Sequence, residues 1–162
     1  MLYPLESKTN NCKNCYKCIR NCPVKAISFF ENKASILHDA CILCGKCYLV
    51  CPQGVKVVRD DVKRVLALLI KKEKVVISLA PSFLNSFENI SFKQIQEAAK
   101  KCGFFEVEET AIGATIVKNA YDEMVNKNEQ SIIISSCCPS INLLISKHFP
   151  DCVPYLAPVL TP

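Results

Sequence analysis

The sequence predicts a small α+β unit organised by two cysteine quartets, followed by a partial α/β unit with a parallel sheet. Three observations predict it. Eight of the 12 cysteines fall at positions 12, 15, 18, 22, 41, 44, 47 and 51, and shifting the first four by 29 residues reproduces the second four. A hairpin-like stretch separates the two quartets. Beyond residue 73, apolar strand-like runs alternate with helical periodicities, the order of a parallel sheet covered by helices. With 162 residues the chain has room for one ordinary domain or two small ones, and needs no disulfide staples.

Taken in order, the duplication extends past the cysteines: CKNCYKCIRNCPVKAI matches CILCGKCYLVCPQGVKV. Each quartet should carry a short helix after its third cysteine, ended by the Cys-Pro pair, with Pro23 and Pro52 turning the chain away. Between the quartets, Phe29-Phe30 and Ala34 to Leu37 flank ENK and read as a hairpin. Such a unit has a poor apolar core for its length and depends on bound metal clusters to hold it together. From Arg59 to Glu73, RDDVKRVLALLIKKE places Val62, Val65, Leu66 and Leu69 on one helical face. Asp60 and Asp61 at its start and Lys71 and Lys72 at its end suit the helix dipole, which makes this a connecting helix with a solvated last turn.

The remainder is predicted as strand Lys74 to Leu79, helix Phe92 to Lys101 stopped by Cys102-Gly103, and strand Phe104 to Glu108. Helix Thr110 to Lys127 follows, with an apolar stripe of Ile112, Ile116, Ala120 and Met124, then strand Ser131 to Ser135 and helix Ile141 to His148. Three parallel strands make a small sheet, and the apolar, proline-rich VPYLAPVLTP has no obvious ending, so this domain reads as cut short. The expected division is 1–58, a connecting helix over 59–73, and an incomplete α/β domain over 74–162.

No run approaches the length of a transmembrane helix, and MLYPLESKTN lacks the basic region and apolar core of an export signal. Abundant cysteine without export predicts a cytoplasmic, reducing location and metal or cluster ligation in place of disulfides. The formal charge of +5 would suggest nucleic acid, but it counts every ligand as a neutral thiol. Eight thiolates contribute about −8 and two oxidised cluster cores about +4, which brings the loaded chain near +1. The charge is no evidence for a nucleic-acid partner.

C-x2-C-x2-C-x3-C-P occurs twice, the run of bacterial two-cluster ferredoxins. The tight loop puts three thiolates on the corners of one [4Fe-4S] cube, while its helix carries the fourth to the other cube. Cluster 1 is therefore expected on Cys12, Cys15, Cys18 and Cys51, and cluster 2 on Cys41, Cys44, Cys47 and Cys22. Zinc sites draw instead on paired CxxC halves separated by a loop. Tyr16 and Ile19 are expected to exclude water from cluster 1, and Ile42, Leu43 and Tyr48 from cluster 2. With eight thiolates present, His38 reads as a surface histidine.

The other chemical feature is SSCCPS at 135–140, after the third expected strand, at the sheet edge where ligands bind in α/β folds. Pro139 can open the next helix, with its amides pointing at the loop, and thiolates there would be available to a metal. Alternatively, Cys137 and Cys138 are small hydrophobes at a strand end. Ala80, Pro81 and Ser82 follow the first strand at the equivalent place, so three parallel strands would set both loops around one pocket. Cys102 reads as a helix-end core residue, and Cys152 carries no ligand spacing. No paired carboxylates or nucleophile–base pair stand out.

The quartets, the helix, and then VVISLAPSF, GFFEVEETAIGATI and ISSCCPSINLLISKHFPDCVPYLAPVLTP together resemble the N-terminal portion of an [FeFe]-hydrogenase large subunit, over roughly residues 10–162. Members of that family interconvert protons and hydrogen at a six-iron cluster, a [4Fe-4S] cube bridged to a two-iron centre bearing CO, cyanide and a dithiolate. The resemblance implies that Cys138 is one ligand of that cube and Cys137 a proton relay. It also implies that Ala80, Pro81 and Ser82 line the cavity, with Ser82 able to hydrogen-bond an iron-bound cyanide, and that Thr161-Pro162 begins another lining segment. Electrons would pass between the two ferredoxin-type clusters and that active cluster, and the partner would be a redox protein or the downstream hydrogenase region.

Two departures stand out. The family often reads TSCCP followed by a further residue and Trp, whereas this chain has SSCCPSI and no Trp, closer to the divergent or sensory branch. The three further cube ligands expected in later cysteine motifs do not occur in these 162 residues. The six-iron cluster is therefore expected only in a longer protein, and this polypeptide alone is expected to make no hydrogen. The rival readings are a stand-alone dicluster electron carrier and a non-catalytic sensory or iron-sulfur assembly relative.

Overall fold

The computed structural model describes residues 3–8, 11–127 and 131–161. The chain forms an α+β fold that separates into two compact units. One holds residues 1–59 with 132–158, and the other holds 60–131 with 159–162.

In the first unit, α1 (Lys17–Asn21) and α2 (Lys46–Leu49) are the helices of the two quartets. Each begins one residue before the third cysteine of its motif, not after it. Between them, β2 (Ile27–Phe30) and β3 (Lys33–Ile36) pair antiparallel with Phe30 opposite Lys33, leaving Glu31 and Asn32 as a two-residue turn. Both turn residues have positive φ, 46° and 58°, the handedness that suits the twist of a hairpin. The ENK hairpin of the sequence is thus present. A second antiparallel pair joins β1 (Leu5–Ser7) to β4 (Lys56–Val58), with Glu6 opposite Val57. It ties the start of the chain to the end of the second motif, and three-residue strands leave no periodicity for sequence to show.

The core of this unit comprises Leu5, Ala26, Ile27, Ala34 and Ile36 together with Cys18, Cys22, Cys41 and Cys47. Nearly half of it is therefore thiol, so the stability of the unit is bound up with the state of its cysteines.

Residues 132–158 belong to the same unit. Here α7 (Pro139–His148) has Pro139 in its first turn, as expected, and is followed by a 3₁₀ segment over Pro150–Tyr155. The expected strand at 131–135 is not formed. Ile134 makes a single parallel bridge to Leu156, using Ile134 N–H to the Tyr155 carbonyl (2.7 Å) and Ala157 N–H to the Ile134 carbonyl (2.9 Å). The run of isoleucines suits a strand, but its backbone is met by the chain beyond α7, too short a partner for a ladder.

The second unit contains α3 (Val62–Ile70), β5 (Val76–Leu79), α4 (Phe83–Ser86), α5 (Phe92–Lys101), β6 (Glu106–Glu109) and α6 (Thr110–Lys127). A βαβ unit is formed: β5 and β6 pair in parallel, Ile77 opposite Val107, across α5. The three-stranded sheet of the sequence reading is thus a two-stranded one. Ser91 and Gln94 close a capping box at the start of α5, and Gly103 at φ +95° ends it, so its boundaries follow the sequence signals. Gln96 Nε2 donates to the Val107 carbonyl (3.1 Å), fixing helix to strand. Asp60 starts α3 by accepting from Val62 N–H (2.9 Å). Neither α3 nor α6 has a fully buried residue: of the anticipated apolar faces, Val65, Leu69, Ala120 and Met124 are partly covered, while Val62, Leu66, Ile112 and Ile116 are exposed. No helix among the described residues is long and apolar enough to cross a membrane.

Candidate metal centre

The two halves of the first unit repeat in backbone as well as in sequence. Positive φ occurs at Asn14, Tyr16 and Lys25, and again 29 residues later at Leu43, Gly45 and Gly54. The first two of each set bend the C-x2-C-x2-C loop around a concavity. The third follows the Cys-Pro pair and turns the next amide back. Ala26 N–H accordingly reaches Cys22 Sγ at 3.2 Å, and Val55 N–H reaches Cys51 Sγ at 3.4 Å. Three of these six residues are neither Gly nor Asn, an unusual density of left-handed conformation of the kind that collects at ligand-binding loops.

The loops enclose two cavities. The first is lined by Cys12, Cys15, Cys18 and Cys51, with Tyr16, Ile19, Phe29, Gln53, Val55 and Lys56 among its walls. The second is lined by Cys22, Cys41, Cys44 and Cys47, with Leu5, Val24, Ala26, Ile27 and Ile42. The fourth cysteine of each motif therefore lines the cavity of the other motif. Among the described residues no three of His, Cys, Asp and Glu converge on a point that could hold a single ion. Four cysteines line the wall of each cavity.

Electrostatics divides the cysteines the same way. Burial pushes the Cys47 thiol up to about 11; Lys56 pulls the other way, and Cys41, Cys44 and Cys22 add to the rise. Burial likewise raises Cys18, opposed by Lys56 and by the Ile19 amide, with Cys51 and Cys12 as its repelling neighbours. Each thiol thus feels the members of its own cavity. For Cys51, burial is outweighed by the amides of Val55, Gln53, Lys56 and Gly54, which hold its thiol below the ordinary value. A loop that stabilises sulfur as an anion is prepared for a metal.

Water exclusion is partly as expected. Tyr16 and Ile19 line the first cavity, and the Tyr16 ring packs on Phe29 at 4.8 Å between centroids. At the second cavity Ile42 is a wall, but Leu43 and Tyr48 are not. Tyr48 is 46% exposed, because the one-turn helix α2 points it outward. Leu5, Val24 and Ile27 take their place. His38 is half-buried, not a surface residue: its ring stacks on Tyr3 at 3.8 Å between centroids.

In the same unit, Lys147 Nζ donates to the carbonyls of His38 and Cys41, both at 2.8 Å, and His148 Nε2 lies 2.8 Å from the Ala40 carbonyl. The C-terminal turn of α7 is thereby fastened to the second cysteine loop. At its other end, Cys138 is the N-cap and its carbonyl accepts from Ile141 and Asn142, while Asn142 Nδ2 donates to the Ser136 carbonyl (2.8 Å). Cys137 and Cys138 are both exposed, so the small-hydrophobe reading of this pair does not hold. Ala80, Pro81 and Ser82 fall in the second unit, where they lead from β5 into α4. Cys102 is exposed at the end of α5 and is not a core residue, since the left-handed Gly103 turns the chain outward there. Thr161 is described, but Pro162 lies outside the described residues.

Comparison with known families matches residues 73–162 to the iron-only hydrogenase large subunit, C-terminal domain, and residues 11–55 to a 4Fe-4S dicluster domain. The first match covers more than half of the chain. The chain belongs to the iron-only hydrogenase large-subunit family. One component of the ion-translocating oxidoreductase complex of Methanosarcina acetivorans is 43% identical over 42 residues, 26% of this chain and 16% of that protein. The aligned stretch is thus a small part of that relative. Taken with the cysteine cavities, these matches give this hydrogenase-family chain iron-sulfur clusters and an electron-transfer function.

Besides the apolar wall residues Leu5, Val24, Ile27 and Phe29, a charged residue of this centre was not anticipated from sequence. Lys56 is almost completely buried, at 1% exposure, in the wall of the first cavity. The 29-residue repeat could have found it, because it aligns Lys56 with the buried Ile27.

Proposed function

We propose that this chain is the electron-transfer part of an [FeFe]-hydrogenase-like protein and holds two [4Fe-4S] clusters. Cluster 1 would rest on Cys12, Cys15, Cys18 and Cys51, and cluster 2 on Cys41, Cys44, Cys47 and Cys22. The observation that carries this reading is the division of the eight cysteines into two cavities of four, each completed by the fourth cysteine of the opposite motif. When bound, such clusters supply one-electron storage at low potential. The residues of the chain bind them, turn amides toward the sulfurs of Cys22 and Cys51, and shield them with Tyr16, Phe29 and Ile42.

On this reading residues 1–58 are the ferredoxin-type domain, 59–73 the connecting helix, and 74–162 the hydrogenase portion. Cys138 would ligate the cube of a six-iron active cluster and Cys137 would relay protons beside it, with Ala80, Pro81 and Ser82 lining that site. Apart from the quartets and this pair, the 162 residues offer only Cys102 and Cys152, so the remaining ligands of such a cube must come from outside this sequence. Electrons would be exchanged with a redox partner protein and with that hydrogen-converting centre. Anaerobic reconstitution tests the reading. About 8 iron per chain and two interacting spin-half signals on reduction are expected. About 4 iron with a single unsplit signal would refute it.

A further inference from the structure

Lys56 opens β4 immediately beyond the second cysteine motif. Its Nζ donates to Ser7 Oγ at 2.8 Å and to the Ala34 carbonyl, which takes two of the three donors of an ammonium. Both acceptors are uncharged, and among the described residues no carboxylate pairs with it. A buried ammonium is costly unless an anion compensates it. The anions that could compensate it are the thiolates of a cluster held in the first cavity, whose wall Lys56 helps to form. Lys56 forms part of the first cavity with Cys12, Cys15, Cys18 and Cys51, while β4, which it opens, packs against α2, the helix that carries Cys47 of the second; Cys18 and Cys47 both feel its attraction.

The duplication shows that this is not a requirement of the fold. The equivalent position in the first half is Ile27, 8% exposed and part of the same core. Shape at this position is therefore met by an aliphatic side chain. The lysine breaks the symmetry of the repeat at a buried point and adds a fixed charge there, held in place by Ser7 of β1 and Ala34 of β3.

We propose that Lys56 is a shared electrostatic setting residue: its buried ammonium stabilises the reduced state of both clusters and raises both reduction potentials. The inference rests on the two-cluster reading above. Reduction of either cluster adds one electron, and therefore one negative charge, within the low-dielectric surroundings of the same ammonium. Removing the ammonium disfavours both reductions, with no change in which residues bind iron.

The test is a redox titration, monitored by electron paramagnetic resonance, of the reconstituted full chain as wild type, Lys56→Gln and Lys56→Arg. Iron content is measured in parallel, so that failure of the two-cluster reading shows as missing iron in the wild type and not as a shift. Lys56→Gln keeps donors for Ser7 and Ala34 but loses the charge. It is expected to retain the wild-type iron and to move both midpoints to more negative potential by at least tenfold in the reduction equilibrium, about 59 mV for a one-electron couple. Lys56→Arg keeps the charge and should leave both midpoints near wild type. Unchanged midpoints in Lys56→Gln, or a shift of one midpoint only, overturn the proposal. Should Lys56→Gln lose its iron, Lys56→Arg decides: retained iron with wild-type midpoints supports a role for charge, and loss of iron there too overturns it.

Discussion

The crossing of the fourth cysteines can be tested by pairs of substitutions that remove the same number of thiolates but distribute them differently. Cys15→Ala with Cys51→Ala takes both sulfurs from the first cavity. Cys15→Ala with Cys22→Ala takes one from each, although both residues belong to the first sequence motif. With crossed ligation, the first pair leaves the second cavity whole, and iron should fall from about 8 to about 4 per chain. The second pair damages both sites, and iron should fall well below about 4. Without crossing the outcomes exchange.

The structural losses are small in the first pair, whereas the second also takes Cys22 from the buried core with the bond it accepts from Ala26 N–H (3.2 Å), so the folded fraction of both is measured alongside iron. The first pair removes the weak Cys15 Sγ contact to Gln53 (3.7 Å) and the amide bonds to Cys51 Sγ, that from Val55 at 3.4 Å and those from Gln53, Gly54 and Lys56 beside it. Each is worth about 0.5–1.5 kcal/mol. In this first pair the buried core cysteines Cys18, Cys22, Cys41 and Cys47 all remain. The assay is iron and sulfide content together with the spin-half signal of the reduced protein. The Cys15/Cys51 pair should show one signal without the splitting that a second reduced cluster imposes. Complete loss of iron in that pair, with about 4 iron retained in the Cys15/Cys22 pair, would refute the crossed assignment.

Other expectations concern the surroundings. Cys138→Ala should leave both reduced signals and the iron content unchanged, since Cys138 lines neither cysteine cavity; loss of either signal would count against the separation of the two sites. Gly45→Ala should destabilise the holoprotein by about 1 kcal/mol through backbone strain alone, because φ is +72° and an added Cβ meets nothing within 4 Å; an unchanged melting temperature would contradict this. Lys147→Ala breaks two 2.8 Å bonds to the loop carrying Cys41 and should speed amide hydrogen exchange across residues 38–43, with a loss of about 1–3 kcal/mol; unaltered exchange would show the fastening to be inert. Cys47 is raised from 9.0 to about 11, so its contribution to the metal-free fold is complete below pH 9 and lost as pH rises through about 11. Urea titrations should show metal-free wild type losing up to about 2–3 kcal/mol across that window relative to Cys47→Ala, and parallel curves would refute the burial argument.

What the sequence made legible was local and periodic. The cysteine spacing is a statement about loop geometry, and the structure meets it with left-handed residues at 14, 16 and 25 and at their counterparts 29 residues on. The stop of α5 was equally legible, because Gly103 acts within a turn of the helix end; the capping box of Ser91 and Gln94 that starts it is as local, and emerged from the structure. What was not legible depended on distant partners. Leu5–Ser7 becomes a strand only because Lys56–Val58 lies beside it. The isoleucines at 132–134 fit a third parallel strand, yet Ile134 finds Leu156 and not β5 or β6. Periodicity ranks how well a segment would suit a strand and carries no information on which backbone will meet it.

The duplication locates the chemistry in a way that either half alone would not. Where the two halves agree, as in the amides of Ala26 and Val55 turned onto the sulfurs of Cys22 and Cys51, the shared feature is what each cavity needs in order to hold sulfur as an anion. Where they differ at a buried point, the difference is free of that need. Tyr16 and Gly45 differ on the surface, and the tyrosine ring adds a shield over the first cavity that the glycine cannot give the second. Ile27 and Lys56 differ inside, and there the exchange of a methyl-bearing chain for an ammonium changes charge while keeping burial. A core that tolerates either side chain at equivalent positions does not require the lysine for packing. What Lys56 adds beyond an aliphatic chain is its pair of bonds to Ser7 and Ala34 and its charge, and the charge is what Cys18 of the first cavity and Cys47 of the second feel.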